Sequence, residues 1–200
     1  MIDPGILAGF VPWIVFVVAS GFLGTRLAAF IGLALALVFF LPNVLKKTYA
    51  SMDLFGVVFF LLLALSSLTL SGENLDHLRA WSGVLINGGL AFFTWATILR
   101  GDPFTREYAR RMVPKEYWQS SLFLDSTKSI ALGWSTAFLV ATVIFLAGAL
   151  TGFNGSLIYV LGIGCMIPAI FWHQKVYAAA QAEGERLREA AQKDRVPQQP

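Results

Sequence analysis

The feature that most constrains the fold is an apolar run at 6–45 in which Arg26 is the single charged residue. A helix needs about 20 apolar residues to cross a bilayer, so this run is long enough for two crossings. Gly21 and Gly24 stand just before Arg26 and favour a turn at that point. The sequence therefore predicts a helical hairpin with spans at 6–24 and 27–45.

Four further apolar segments follow, at about 54–70, 80–99, 129–150 and 156–174. The chain is 56% hydrophobic and only 14% charged, whereas soluble domains carry about 25% charged residues. We predict an all-α polytopic integral membrane protein over residues 1–177, with six transmembrane helices arranged as three consecutive hairpins. The polar residues that follow, 178–200, are predicted to form a cytoplasmic tail that is partly helical and partly disordered.

The distribution of lysine and arginine predicts how this bundle is oriented. With six spans, thirteen of the fifteen cations fall on one side, and only Arg26 and Arg79 fall on the other. Connections on the cytoplasmic side of a membrane carry the excess of Lys and Arg. We therefore predict a bacterial inner (cytoplasmic) membrane protein with both termini in the cytoplasm.

Two local patterns predict how the spans pack. Ala28, Gly32 and Ala36 recur every four residues on the second span, and small residues at that spacing let helices approach closely. Pro168 lies inside the sixth span and predicts a kink there.

The charged stretch "GDPFTREYARRMVPKEYWQSSLF" at 101–123 separates two of the apolar segments. Winding its first part as a helix collects the apolar side chains on one half and the arginines on the other. This pattern predicts a cytoplasmic interfacial amphipathic helix at 103–118, with its apolar face toward the membrane and its cations toward anionic headgroups. The residues expected to bind lipid or a partner are Arg106, Arg110, Arg111, Lys115, Tyr117 and Trp118.

A second group of reactive residue types lies in the loop before the fourth span. Glu73 and His77 are four residues apart and share a helix face, with Asp76 beside them. They could act on a lipid at the outer face, or the segment could simply be an interfacial lead-in to the span. Metal sites usually need three or more protein ligands with supporting bonds. We therefore expect no metal site here, and no cofactor.

Inside the predicted spans there is no Asp, Glu, Lys or Arg away from the ends. Proton-coupled carriers normally place ionisable groups near the midplane, so this composition argues against a proton-coupled pump. A passive path remains open, and Asn87 and Pro168 are its candidate residues, either as a path or as helix contacts. The dispersed cations do not support nucleic-acid binding.

Three segments carry a resemblance to a known family: "KKTYASMDLFGVVFFLLLALSSLTL", "GENLDHLRAWSGVLINGGLAFF" and "RGDPFTREYARRMVPKEYW". In hydropathy and spacing the chain resembles the intracellular septation protein A family of small bacterial inner-membrane proteins. The resemblance implies a role in envelope synthesis and division, and it carries no catalytic motif.

The leading hypothesis is a non-enzymatic inner-membrane protein that assists or scaffolds cell-envelope assembly or division through its basic interfacial helix. Its expected partners are anionic membrane lipids and other membrane proteins or further copies of the chain. The alternatives are a small membrane transporter or channel, and a lipid-modifying enzyme of the outer face.

Overall fold

The computed structural model describes residues 4–152 and 156–195. The described part of the chain is all-α. Its helices are α1 (Pro4–Leu23), α2 (Thr25–Leu45), α3 (Ser51–Thr69), α4 (Glu73–Leu99), α5 (Phe104–Ala109), α6 (Ser121–Thr151), α7 (Ser156–Gly164) and α8 (Met166–Arg195), with a short 3-10 turn at Lys115–Tyr117 between α5 and α6.

Five of these helical stretches are long and apolar enough to cross a membrane: α2, α3, α4, α6 and the nearly continuous run of α7 and α8. The first helix is also apolar, and the part of it whose side chains are described, Gly9–Leu23, is shorter than a full span. Large apolar side chains such as Phe22, Leu45 and Phe92 point outward. An apolar exterior of this extent suits a hydrocarbon surrounding rather than water.

The packing of the helices follows the predicted hairpins only in part. α1 packs on α2 and α2 on α3, while α4 packs on α6 and α6 on both α7 and α8. α3 and α4, the predicted middle hairpin, touch less; Phe55 and Phe93 stack there with their ring centroids 4.6 Å apart. In a chain whose spans are apolar on all sides, hydropathy does not specify which neighbours pack together.

The prediction that small residues on the second span allow close packing is confirmed. Ala28, Gly32 and Ala36 are all buried, and the fully buried ring of Phe60 on α3 lies against Gly32. A Cβ at Gly32 would come within 2.7 Å of two carbons of that ring. The glycine therefore sets how closely α2 and α3 approach.

The predicted sixth span is interrupted as the proline suggested. A turn at Cys165 separates α7 from α8, three residues before Pro168. Proline has no N–H to donate to the carbonyl four residues earlier, at Gly164, which accounts for a break at this point. Beyond the break α8 continues as helix to Arg195, so much of the predicted tail is helical; residues 196–200 lie outside the described residues.

The two ends of the bundle carry very different numbers of lysine and arginine residues. The loop at 46–50, the segment at 100–120 and the second half of α8 lie together, and we call this the cation-rich end. At the opposite end the Arg26 side chain donates hydrogen bonds to the carbonyls of Ser67 and Leu70, at 2.9 and 2.8 Å. That arginine stabilises the C-terminus of α3, where helix carbonyls lack partners within the helix.

Candidate functional site

The charged segment is built into the cation-rich end of the bundle. Phe104 and Tyr108 of α5 are each only 1% exposed. The backbone N–H of Phe104 donates to the hydroxyl of Thr97 on α4 at 3.2 Å, and the hydroxyl of Thr105 donates to the backbone carbonyl of Thr127 on α6 at 2.7 Å. These contacts join α5 to two of the helices that are long and apolar enough to cross a membrane.

This arrangement corrects the expectation of one interfacial helix at 103–118. The α-helix covers only Phe104–Ala109, and turns carry the chain to Pro114. The apolar face of α5 packs against protein, since Phe104 and Tyr108 are buried within the bundle. Its polar groups bond to a carboxylate on α3, a hydroxyl on α4 and a backbone carbonyl on α6.

Asp53, at the start of α3, anchors the same segment from the other side. Its side chain is 7% exposed and accepts a hydrogen bond from the Tyr108 hydroxyl at 3.1 Å. It also accepts one from the backbone N–H of Ala50 at 3.1 Å, and the Arg111 guanidinium lies 3.8 Å away. Burial, reinforced by the Asp53 charge, raises the pKa of Tyr108 above its ordinary value. The hydroxyl therefore keeps its proton and remains a donor.

The predicted lipid-binding arginines are mostly occupied by the protein itself. Asp102 accepts from Arg110 through both oxygens, at 3.1 and 3.2 Å, and from Arg106 at 3.3 Å. The Arg106 side chain is only 12% exposed. Arg111 donates to the backbone carbonyl of Thr48 in the loop between α2 and α3. These three arginines hold the segment in shape, and of the three the Arg106 side chain has the least surface left for a headgroup.

The other predicted contact residues lie at the surface. Lys115 and Tyr117 are exposed. Trp118 is half-buried; its indole N–H donates to the Val113 carbonyl at 2.8 Å, and the Arg110 guanidinium lies over its ring at 5.6 Å. Lys115 and Tyr117, together with the exposed Arg111, are therefore the members of the predicted set that a ligand can reach most easily.

A cavity of about 740 Å³ separates this segment from the second half of α8. We call it the α8 groove. Its volume lies within the range of about 300–1,000 Å³ that is typical of ligand sites. The apolar side chains in its walls include Met112, Val113, Leu122, Ile130 and Leu187. Across its mouth the Arg188 guanidinium lies over the Tyr117 ring, 5.6 Å from the centroid.

His173 forms part of the deep end of the groove and is buried. Its Nδ1 accepts a hydrogen bond from the indole N–H of Trp134 at 3.3 Å, and the Tyr177 ring meets it edge-on. An Nδ1 that accepts places the proton of a neutral imidazole on Nε2.

One side of α8 lines the groove, and the smallest residue on that side is Gly184. A Cβ added there would meet no atom within 4 Å. Tyr177, Ala180, Gly184 and Arg188 line the groove at spacings of three or four residues, the repeat of one helix face. That spacing was the available sequence signal for this site, and sequence reasoning missed it because the partner wall lies in a loop distant in sequence.

The three candidate residues in the loop before the fourth span do not form a comparable site. Glu73, Asp76 and His77 are all exposed on the first turns of α4. No hydrogen bond or ion pair joins them within the described residues, and no group of three or more metal-ligating side chains occurs in that part of the chain. The two carboxylates stabilise the N-terminus of α4, where the helix dipole favours negative charge.

The two residues predicted as candidates for a passive path, Asn87 and Pro168, lie in α4 and α8. Asn87 is half-buried, and its amide nitrogen donates to the carbonyl of Gly83 in its own helix at 2.9 Å. Pro168 lies on the exposed side of α8. The structure gives both residues a local role within their own helices.

Comparison with known proteins finds no match: no protein-family model fits the chain, and no curated protein or solved structure is significantly similar to it. The resemblance to the septation protein A family therefore stays a prediction from the sequence.

Proposed function

We propose that the protein is a non-enzymatic protein of the bacterial inner membrane that assists envelope assembly by holding an amphipathic membrane component in the α8 groove. The single observation that carries the proposal is the groove itself, about 740 Å³ with largely apolar walls and a polar mouth. Such a shape favours a ligand with an apolar body and a polar end.

The proposal includes six membrane spans with both termini in the cytoplasm. α1 supplies the additional span, since it is a helix of 20 residues with an apolar sequence. The cation-rich end then faces the cytoplasm, in agreement with the excess of Lys and Arg expected on that side. This orientation places the α8 groove beside the inner leaflet, where amphipathic membrane components are at hand.

The charged segment takes two roles in this proposal. Arg106, Arg110 and Arg111 fix the wall of the groove through their bonds to Asp102 and to the loop between α2 and α3. The exposed cation Lys115 meets anionic headgroups near the mouth, where a basic side chain contributes about 1 kcal/mol to association with an anionic leaflet.

A complementation experiment tests this function. Cells that lack the gene would receive the wild type, Gly184→Trp or Gly184→Ala, and cell length and resistance to detergent would be recorded. Tryptophan fills the groove, whereas alanine adds one methyl group in open space. We expect Gly184→Ala to restore wild-type behaviour and Gly184→Trp to fail at equal protein level. Equal rescue by both variants would contradict the proposal.

A further inference from the structure

We infer that the α8 groove binds a phospholipid of the inner leaflet whose headgroup carries both a phosphate and an ammonium group, with one acyl chain along the apolar wall. This inference rests on the proposed function, because it names the component that the groove holds. Phosphatidylethanolamine has this chemistry.

The position of the groove gives an acyl chain a path into it. The groove lies between the start of α6 and the second half of α8, both of which continue into apolar stretches long enough to span a membrane. Its deep end, at Ile130 and His173, lies where the predicted spans meet the cytoplasmic boundary. A lipid drawn from the inner leaflet can therefore lay one chain along the apolar wall from this end, while its headgroup reaches the residues at the mouth.

The mouth of the groove carries one cation and one anion. Arg188 and Glu185 are three residues apart on α8, are both exposed, and both line the groove. Side chains at this spacing are neighbours on one helix face. The guanidinium of Arg188 can donate two parallel hydrogen bonds to a phosphate. A headgroup that also carries an ammonium places its positive charge within reach of Glu185.

One ion pair elsewhere on α8 supports this interpretation of the mouth. Arg186 pairs with Glu183 at 3.6 Å, so these two charges neutralise each other outside the groove. Within the described part of the chain, by contrast, Glu185 makes no ion pair or hydrogen bond. Its carboxylate would repel a headgroup that carried only negative charge, and it would attract one that also carried a positive charge.

The same features favour a lipid over the other occupants that an apolar groove can take. A helix from a partner protein or from a second copy would need a continuous apolar stripe exposed along the full length of the groove. Here the deep end at Ile130 is apolar, apolar side chains continue along the wall, and the charges of Glu185 and Arg188 lie at the mouth, which suits a single phospholipid.

The test measures which lipids stay bound to the full-length protein. Wild type and variants would be reconstituted in vesicles of equal phosphatidylethanolamine and phosphatidylglycerol, extracted in mild detergent and analysed by native mass spectrometry. Gly184→Trp blocks the groove, and Gly184→Ala is its matched control. Ala180→Phe, on the same face of α8, blocks the groove independently if the tryptophan variant does not fold.

We expect phosphatidylethanolamine on the wild type and on Gly184→Ala, and its loss by at least about tenfold when the groove is blocked. Glu185→Gln should reduce the preference for phosphatidylethanolamine over phosphatidylglycerol by about two- to fivefold, the effect of one partly exposed ion pair of up to about 1 kcal/mol. Arg188→Gln should weaken retention of both lipids, because both carry a phosphate.

Three results would overturn the inference, and they have different consequences. If the blocked variants retain as much lipid as the wild type, the groove is not the binding site and the proposed function fails with it. If blocking removes the lipid but Glu185→Gln leaves the preference unchanged, only the headgroup assignment fails. If the wild type carries a peptide or a second copy instead of lipid, the inference fails while the groove remains a binding site.

Discussion

Replacing Tyr108 by phenylalanine tests whether the charged segment is anchored to the bundle. The change removes one hydroxyl group and leaves the buried ring in place. That hydroxyl donates to the Asp53 carboxylate at 3.1 Å. It ties α5 to α3, and α5 in turn holds the loop that forms one wall of the α8 groove.

The expected loss can be worked out from the contacts of Asp53. A hydrogen bond to a charged group contributes about 1.5–3 kcal/mol. The Asp53 side chain is 7% exposed, so water can replace the lost donor only in part. The N–H of Ala50 and the more distant Arg111 remain as partners. We therefore expect the free energy of unfolding to fall by about 2 kcal/mol.

Reversible unfolding in mixed micelles, followed by circular dichroism as the share of denaturing detergent rises, would measure this change. Tyr49→Phe is the matched control because it removes the same atom at a site that is 52% exposed. The Tyr49 hydroxyl makes no hydrogen bond within the described residues. Its loss should change the free energy of unfolding by less than about 0.5 kcal/mol.

The comparison between the two variants shows whether the hydrogen bond from Tyr108 to Asp53 stabilises the fold. If Tyr108→Phe is no less stable than Tyr49→Phe, the bond to Asp53 does not stabilise the fold. The charged segment would then not be anchored in the way described, and the wall of the α8 groove would lose its support.

Three further predictions use the same unfolding measurement. As pH rises above about 10, the unfolded state releases the Tyr108 proton while the folded state keeps it. The stability of the wild type should therefore fall more steeply with pH than that of Tyr108→Phe, by up to about 1.4 kcal/mol per pH unit. Parallel pH profiles would contradict this. Gly32→Ala places a methyl group 2.7 Å from the Phe60 ring and should destabilise the fold by about 1–3 kcal/mol. The control Gly21→Ala, which has no atom within 4 Å, should be neutral or stabilising. A reversed order of stability would show that α2 and α3 do not pack so closely. Thr105→Val removes a buried bond to the backbone of α6 and should cost about 1 kcal/mol; an unchanged midpoint would mean that this bond adds nothing.

The sequence predicted the helical elements well because their cause is local. Apolar stretches of span length form helices in any membrane protein, and the small residues Ala28, Gly32 and Ala36 mark a packing face whatever helix covers it. Pro168 likewise predicts an interruption from its own chemistry.

The charged segment could not be placed from its own pattern. Amphipathicity shows that Phe104 and Tyr108 are buried, and it does not show whether lipid or protein buries them. The deciding partner, Asp53, lies 55 residues earlier in the sequence. The carboxylate of Asp102 likewise binds Arg106 and Arg110 only once the turn folds.

The α8 groove could not be predicted from the sequence for a related reason. Its two walls come from a loop and from a helical extension that was interpreted as a solvated tail. Only when α8 runs past the loop does Arg188 reach the Tyr117 ring and enclose the space between them.

A reconstruction of the full-length protein in nanodiscs of native lipid, by electron cryomicroscopy, tests the central claim most directly. The account predicts phospholipid density in the α8 groove, with a chain beside Ile130 and Leu187 and a headgroup between Glu185 and Arg188. A groove that is empty, collapsed or filled by protein in that reconstruction would contradict it.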